Sequence, residues 1–115
     1  GDLNIDHNLT FRATITAARP IPDSGIKHIY AYETLSSTEW SFNQTGQPFQ
    51  PNFFVDIEPF LQLKIKAMEA YSTEICDFPH PRSSKAIKNL ANIRGSMAGL
   101  SACEAFSIIR TLYTS

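Results

Sequence analysis

Asn52-Phe53-Phe54-Val55-Asp56-Ile57 runs straight into Glu58-Pro59, and this junction decides how the chain is read. Two aromatics and a β-branched residue in a short apolar run predict a strand. Asp56, Glu58 and Pro59 then supply the signals of a helix start, with acidic groups near the positive end of the helix dipole and proline where no amide donor is needed. Leu61, Ile65, Met68 and Ser72 continue as a helical stripe, while Lys64, Lys66 and Glu69 fall on the water side. Pro79-His80-Pro81 ends that helix as a rigid linker. A second helix opens at Ser83 or Ser84, places Ile87, Leu90, Ala91 and Met97 on one side, and ends near Gly95 or Gly99. Ala102 to Ile109 reads as a last strand.

Working back from the same junction, residues 34–51 form a long polar loop interrupted by Trp40, Phe42 and Phe49. His28-Ile29-Tyr30-Ala31-Tyr32-Glu33 reads as a buried strand. The stretch Leu9 to Ala18 is ambiguous, since Leu9, Phe11, Ala13, Ile15 and Ala17 alternate as in a strand. A plausible N-cap at Asp6 or Asn8 and a stop at Arg19-Pro20, followed by the turn residues Pro22-Asp23-Ser24-Gly25, favour a helix. The resulting order of helix, strand, loop, strand, helix, helix, strand predicts an α/β domain in which ligands gather at the carboxyl ends of parallel strands.

With 115 residues the chain is expected to form one domain. Hydrophobic residues at 43% and charged residues at 18% suit a globular protein rather than a disordered one. No window approaches the roughly 18 apolar residues of a membrane span. Ten basic and eleven acidic residues give a net charge of -1, which argues against general affinity for nucleic acid or anionic membrane. Cys76 and Cys103 match no metal-ligand spacing and are too few for a disulfide framework, so reduced thiols in a cytoplasm are expected. The polar opening Gly1-Asp2-Leu3-Asn4-Ile5-Asp6-His7 is an unusual start for a domain and points to further sequence upstream.

Asp6-His7 is the most suggestive chemical pair. A histidine at a helix N-terminus can present a ring nitrogen to a cleft, and a nearby carboxylate can fix its tautomer for metal binding. Taken alone, the pair reads more readily as a capping aspartate followed by a first-turn histidine.

Its surroundings change the weighing. Asp2-Leu3-Asn4-Ile5-Asp6-His7, Ala17-Ala18-Arg19-Pro20, and Tyr30-Ala31-Tyr32-Glu33 with Ser37-Thr38-Glu39-Trp40 resemble the second half of the LmbE/PIG-L family of zinc-dependent de-N-acetylases. Phe49-Gln50-Pro51-Asn52-Phe53-Phe54-Val55-Asp56-Ile57, Lys64-Ile65-Lys66-Ala67, Pro81-Arg82-Ser83 and Arg94-Gly95 before Ala102-Cys103-Glu104-Ala105-Phe106 resemble its later blocks, in order. Each motif is modest alone. Together they cover nearly the whole chain.

The resemblance implies a Rossmann-like fold with a mostly parallel sheet flanked by helices, residues 1–115 being the C-terminal part of a single deacetylase domain whose N-terminal strands are missing. It implies Zn2+ as cofactor and an N-acetylated amino-sugar conjugate, of N-acetylglucosamine type, as substrate. The family's first motif, Ala-His-Pro-Asp-Asp-Glu, supplies two zinc ligands and a general base, and it is absent here. Its second motif, His-Pro-Asp-His, matches residues 4–7. His7 takes the position of the third zinc ligand, and Asp6 that of the aspartate that tunes the site. Asn4 replaces the motif's first histidine and Ile5 its proline. An amide can donate a hydrogen bond but cannot transfer a proton at neutral pH.

Glu33 and Trp40 are candidates to contact substrate, against the plainer readings of a salt bridge or cap and of a loop anchor. Arg19 and Arg82 adjoin prolines and are expected to brace turns, and His80 is expected to be an exposed linker histidine. Glu104 is expected to pair with Arg94 or Arg110. Both cysteines read as inert packing residues. A missing N-terminal half of the same domain is the expected partner. The competing expectation is a non-catalytic carbohydrate-binding or protein-interaction module, with a homo-oligomer as its candidate assembly.

Overall fold

The computed structural model describes residues 2–113, and they form two compact units, residues 52–105 and the remainder. The elements are α1 (Ile5–Ala17), β1 (His28–Tyr32), β2 (Phe53–Asp56), α2 (Leu61–Glu69), α3 (Ser84–Ala98) and β3 (Cys103–Thr111). The strands make a three-stranded sheet in the order β1-β3-β2.

In the unit of residues 52–105, the core follows from a spacing of four. Ile57, Leu61 and Ile65 lead into and along α2, and all are buried. Ile87, Ala91 and Gly95 do the same along α3. Residues four apart lie on one face of a helix, so each set forms a single stripe. Ala102, Cys103 and Ala105 complete this core. Gly95 is required there, because a Cβ at that position would lie 2.6 Å from the Leu100 carbonyl oxygen and 2.8 Å from the Ala102 nitrogen. Met97, expected on the buried side, is 54% exposed. Two residues turn a helix by about 200°, so a stripe through Gly95 excludes Met97.

The ends of these helices are closed by local chemistry. The Ser83 hydroxyl oxygen accepts the Ala86 amide at 3.1 Å as N-cap of α3, and Gly99 closes its other end with φ +73°. The Ser84 hydroxyl donates to Glu69 at 2.8 Å, tying the start of α3 to the end of α2. Glu104 pairs with Lys64 at 2.8 Å rather than with Arg94 or Arg110. Arg82 forms an ion pair with Glu74, and its amide donates to His80 Nδ1 at 3.1 Å. His80 is therefore half-buried within the Pro79-Pro81 turn rather than exposed.

In the other unit, β1 pairs with the second part of β3 from His28 opposite Thr111 to Tyr32 opposite Phe106. The register jumps between Ile29 and Tyr30, which leaves Ile109 as the extra residue of a bulge. This pairing is antiparallel and corrects the expectation of a mostly parallel, Rossmann-like sheet. A parallel pair needs a crossover that returns the chain to the starting edge, usually one helix. Here two helices separate β2 from β3, and the Ile57 amide just after β2 bonds the Ala102 carbonyl just before β3. The end of one strand thus meets the beginning of the next. No helix separates β1 from β2, only the long loop and a 3-10 turn at Glu39–Ser41.

α1 forms where the alternating run Leu9 to Ala17 stands, and none of its residues is buried. Apolar residues two apart lie about 200° apart around a helix, so the run divides between two faces, Leu9, Ala13 and Ala17 on one and Phe11 and Ile15 on the other. Leu9 is 57% and Phe11 48% exposed. The N-cap is Asn4, whose Oδ1 accepts the Asp6 amide at 2.9 Å, rather than Asp6 or Asn8. Asp6 sits in the first turn, where its charge complements the dipole.

Candidate functional site

A cleft of about 800 Å³ lies within the unit that holds α1 and β1. Along α1 it is lined by His7, Phe11, Thr14 and Ile15, and along β1 by Ile29, Tyr30, Ala31 and Tyr32. The loop contributes Thr34, Thr38 and the run Thr45 to Gln50. Such a volume is in the range of small-molecule sites.

Asp2 and His7 supply a carboxylate and an imidazole to this lining. His7 Nδ1 lies 3.2 Å from Asp2 Oδ2, within reach of an ion pair though off-line for a hydrogen bond in this ring orientation. Asp2 is in turn held from several sides. Its Oδ1 accepts the Asn4 amide at 2.8 Å, and its Oδ2 accepts the Thr38 hydroxyl at 3.3 Å. Its backbone carbonyl accepts Asn8 Nδ2 at 3.1 Å and the Thr45 hydroxyl at 3.1 Å. The Leu3 amide also donates to the Ser37 carbonyl at 3.1 Å. The polar opening of the chain is thus fastened to the long loop, and Asp2 is the fastener.

Of the residues singled out from sequence, His7 lines the cleft, whereas Asn4, Asp6, Glu33 and Trp40 do not. Asn4 caps α1 and Asp6 stands exposed in its first turn. Glu33 is half-buried just beyond β1, and Trp40, 39% exposed, lies in the 3-10 turn. The carboxylate beside His7 is Asp2, which sequence reasoning passed over. The signal was there in Asp2-Leu3-Asn4: an Asx residue two before the cap folds back and bonds the cap's own amide.

The donor set fits one corner of a zinc site and no more. A ligating histidine with a carboxylate at its other nitrogen is the usual support for a metal-bound imidazole. Among the described residues, however, no group of three or more histidine, cysteine, aspartate or glutamate side chains could hold a metal ion. A catalytic zinc normally has three protein ligands. The cysteines lie elsewhere: both are free, Cys103 is buried, and burial pushes its thiol pKa up.

Comparison with protein-family models, with curated proteins and with solved structures finds no match to this chain. No helix among the described residues is long and apolar enough to cross a membrane.

Proposed function

We propose that this chain is the C-terminal part of a zinc-dependent de-N-acetylase of the LmbE/PIG-L type, acting on an N-acetylglucosamine-type conjugate. The observation that carries the reading is His7 on the wall of the cleft with Asp2 at its Nδ1. A turn of the ring that let Nδ1 donate to Asp2 would leave Nε2 as the nitrogen for a metal. Asn4 and Asp6 shape the turn that delivers His7, Asn4 by capping α1 and Asp6 by sitting in its first turn. Bound zinc would supply a water of lowered pKa and would polarise the acetyl carbonyl. The remaining ligands and the general base come from the N-terminal half of the domain, and this chain alone hydrolyses nothing.

The exposed Leu9 of α1 agrees with a domain completed by further sequence, because it would gain cover there. Two free cysteines suit a cytoplasmic setting. Co-expression with a family first half that bears the Ala-His-Pro-Asp-Asp-Glu motif tests the proposal. The folded complex should bind zinc and release acetate from an N-acetylglucosamine conjugate. A folded complex that binds no zinc would sink it.

A further inference from the structure

We infer that Thr38 is a positioning residue, whose hydroxyl fixes the direction of the Asp2 carboxylate and with it the seat of the His7 imidazole. The inference rests on the function proposed above and adds a residue to that site. Thr38 lies 36 residues from Asp2 in sequence and is half-buried at the start of the 3-10 turn Glu39–Ser41. Its Oγ1 accepts the Thr34 amide at 2.8 Å and donates to Asp2 Oδ2 at 3.3 Å. A hydroxyl has one proton and two lone pairs. With the Thr34 amide on a lone pair, the proton is left to the carboxylate.

Asp2 is directed because it has two anchors. The Asn4 amide holds Oδ1 at 2.8 Å, and a single bond of that kind lets the carboxylate turn about it. Thr38 holds the other oxygen, and that same Oδ2 lies 3.2 Å from His7 Nδ1. The support is itself held in place. The Thr38 amide donates to the Thr34 carbonyl at 2.9 Å, the Thr38 carbonyl accepts the Ser41 hydroxyl at 2.7 Å, and Ser37 and Ser41 are buried on either side. Thr45 differs, because it donates to the backbone carbonyl of Asp2 and so holds the chain without directing the carboxylate. A carboxylate behind a ligating histidine orients its ring, so the turn at Thr38 governs how His7 is presented to a metal.

NMR of the full chain without zinc tests this. In the unaltered chain the Thr38 hydroxyl proton should exchange with water slowly enough to give its own signal. Thr38→Val keeps the shape without the hydroxyl: the Asn4 amide should exchange about fivefold faster, the worth of one hydrogen bond, and the His7 ring signals should move. Thr38→Ser should restore both, and Thr45→Val, which keeps both anchors on the carboxylate, should leave the ring signals in place. A Thr38 hydroxyl averaged with water in the folded chain overturns the inference. So do ring signals that stay put in Thr38→Val, fail to return in Thr38→Ser, or move equally in Thr45→Val. In the complex with a motif-bearing first half, Thr38→Val should weaken zinc binding about fivefold and Thr38→Ser should not; zinc held equally by Thr38→Val also overturns the inference. An unaltered complex that binds no zinc defeats the proposed function, whereas the spectra of the zinc-free chain still decide the role of Thr38.

Discussion

α3 and α1 are helices of similar length, 15 and 13 residues, yet one buries three residues and the other none. Spacing explains the contrast. Ile87, Ala91 and Gly95 recur every four residues and meet the rest of their unit on one face. Leu9, Phe11, Ala13, Ile15 and Ala17 recur every two and divide between opposite faces of α1, two of the three on one face being alanines. The unit of residues 52–105 therefore has its own core, while the unit with His7 holds Ala18, Ser37 and Ser41 as its buried residues. The packing is concentrated in the unit of residues 52–105, and the unit with the cleft has little of it.

The contrast can be broken most forcefully at Gly95. Gly95→Val puts a side chain against the Leu100 carbonyl and the Ala102 backbone, and denaturant unfolding should show a loss of about 3 kcal/mol. Ile87→Ala, which empties a buried site, should cost about as much, roughly 3 kcal/mol. Ser83→Ala removes the cap of α3 and should cost about 1 kcal/mol, with the loss recovered in Ser83→Asp. At the other extreme, Leu9→Ala on α1 should shift stability by no more than about 0.5 kcal/mol, because it removes an exposed side chain. A loss comparable to that of Ile87→Ala would mean α1 is packed after all.

Alkali sharpens the same division. Burial raises the Cys103 pKa in the folded chain, with Arg94 opposing and Asp56 and Glu104 reinforcing the shift. The unfolded chain then loses its thiol proton first, so stability is full below about pH 9 and falls as pH climbs through the folded value. Unfolding curves at rising pH should show this decline in the native chain, and Cys103→Ala should remove that component.

Much of the fold was legible because local chemistry marks it. Ser83, Gly99 and the spacing of Ile87 and Ala91 announce α3 without help from the rest of the chain. The direction of the sheet was not legible, since alternating strands and helices suggest parallel pairing unless the number of helices between strands is weighed. Two helices between β2 and β3 reverse the outcome. At the site, His7 stands out by residue type. Asp2 does not, because its nearness to His7 depends on a fold-back through Asn4 and on the hydroxyls of Thr38 and Thr45, which come from a loop some forty residues later.

The most direct measurement is zinc content and affinity of the complex reconstituted with a motif-bearing first half, compared across three versions of this chain. The unaltered chain should hold one zinc, His7→Ala should lose it, and Asp2→Ala should weaken it about tenfold or more, as removal of a supporting carboxylate does. Zinc held equally well by the His7→Ala complex would contradict the account.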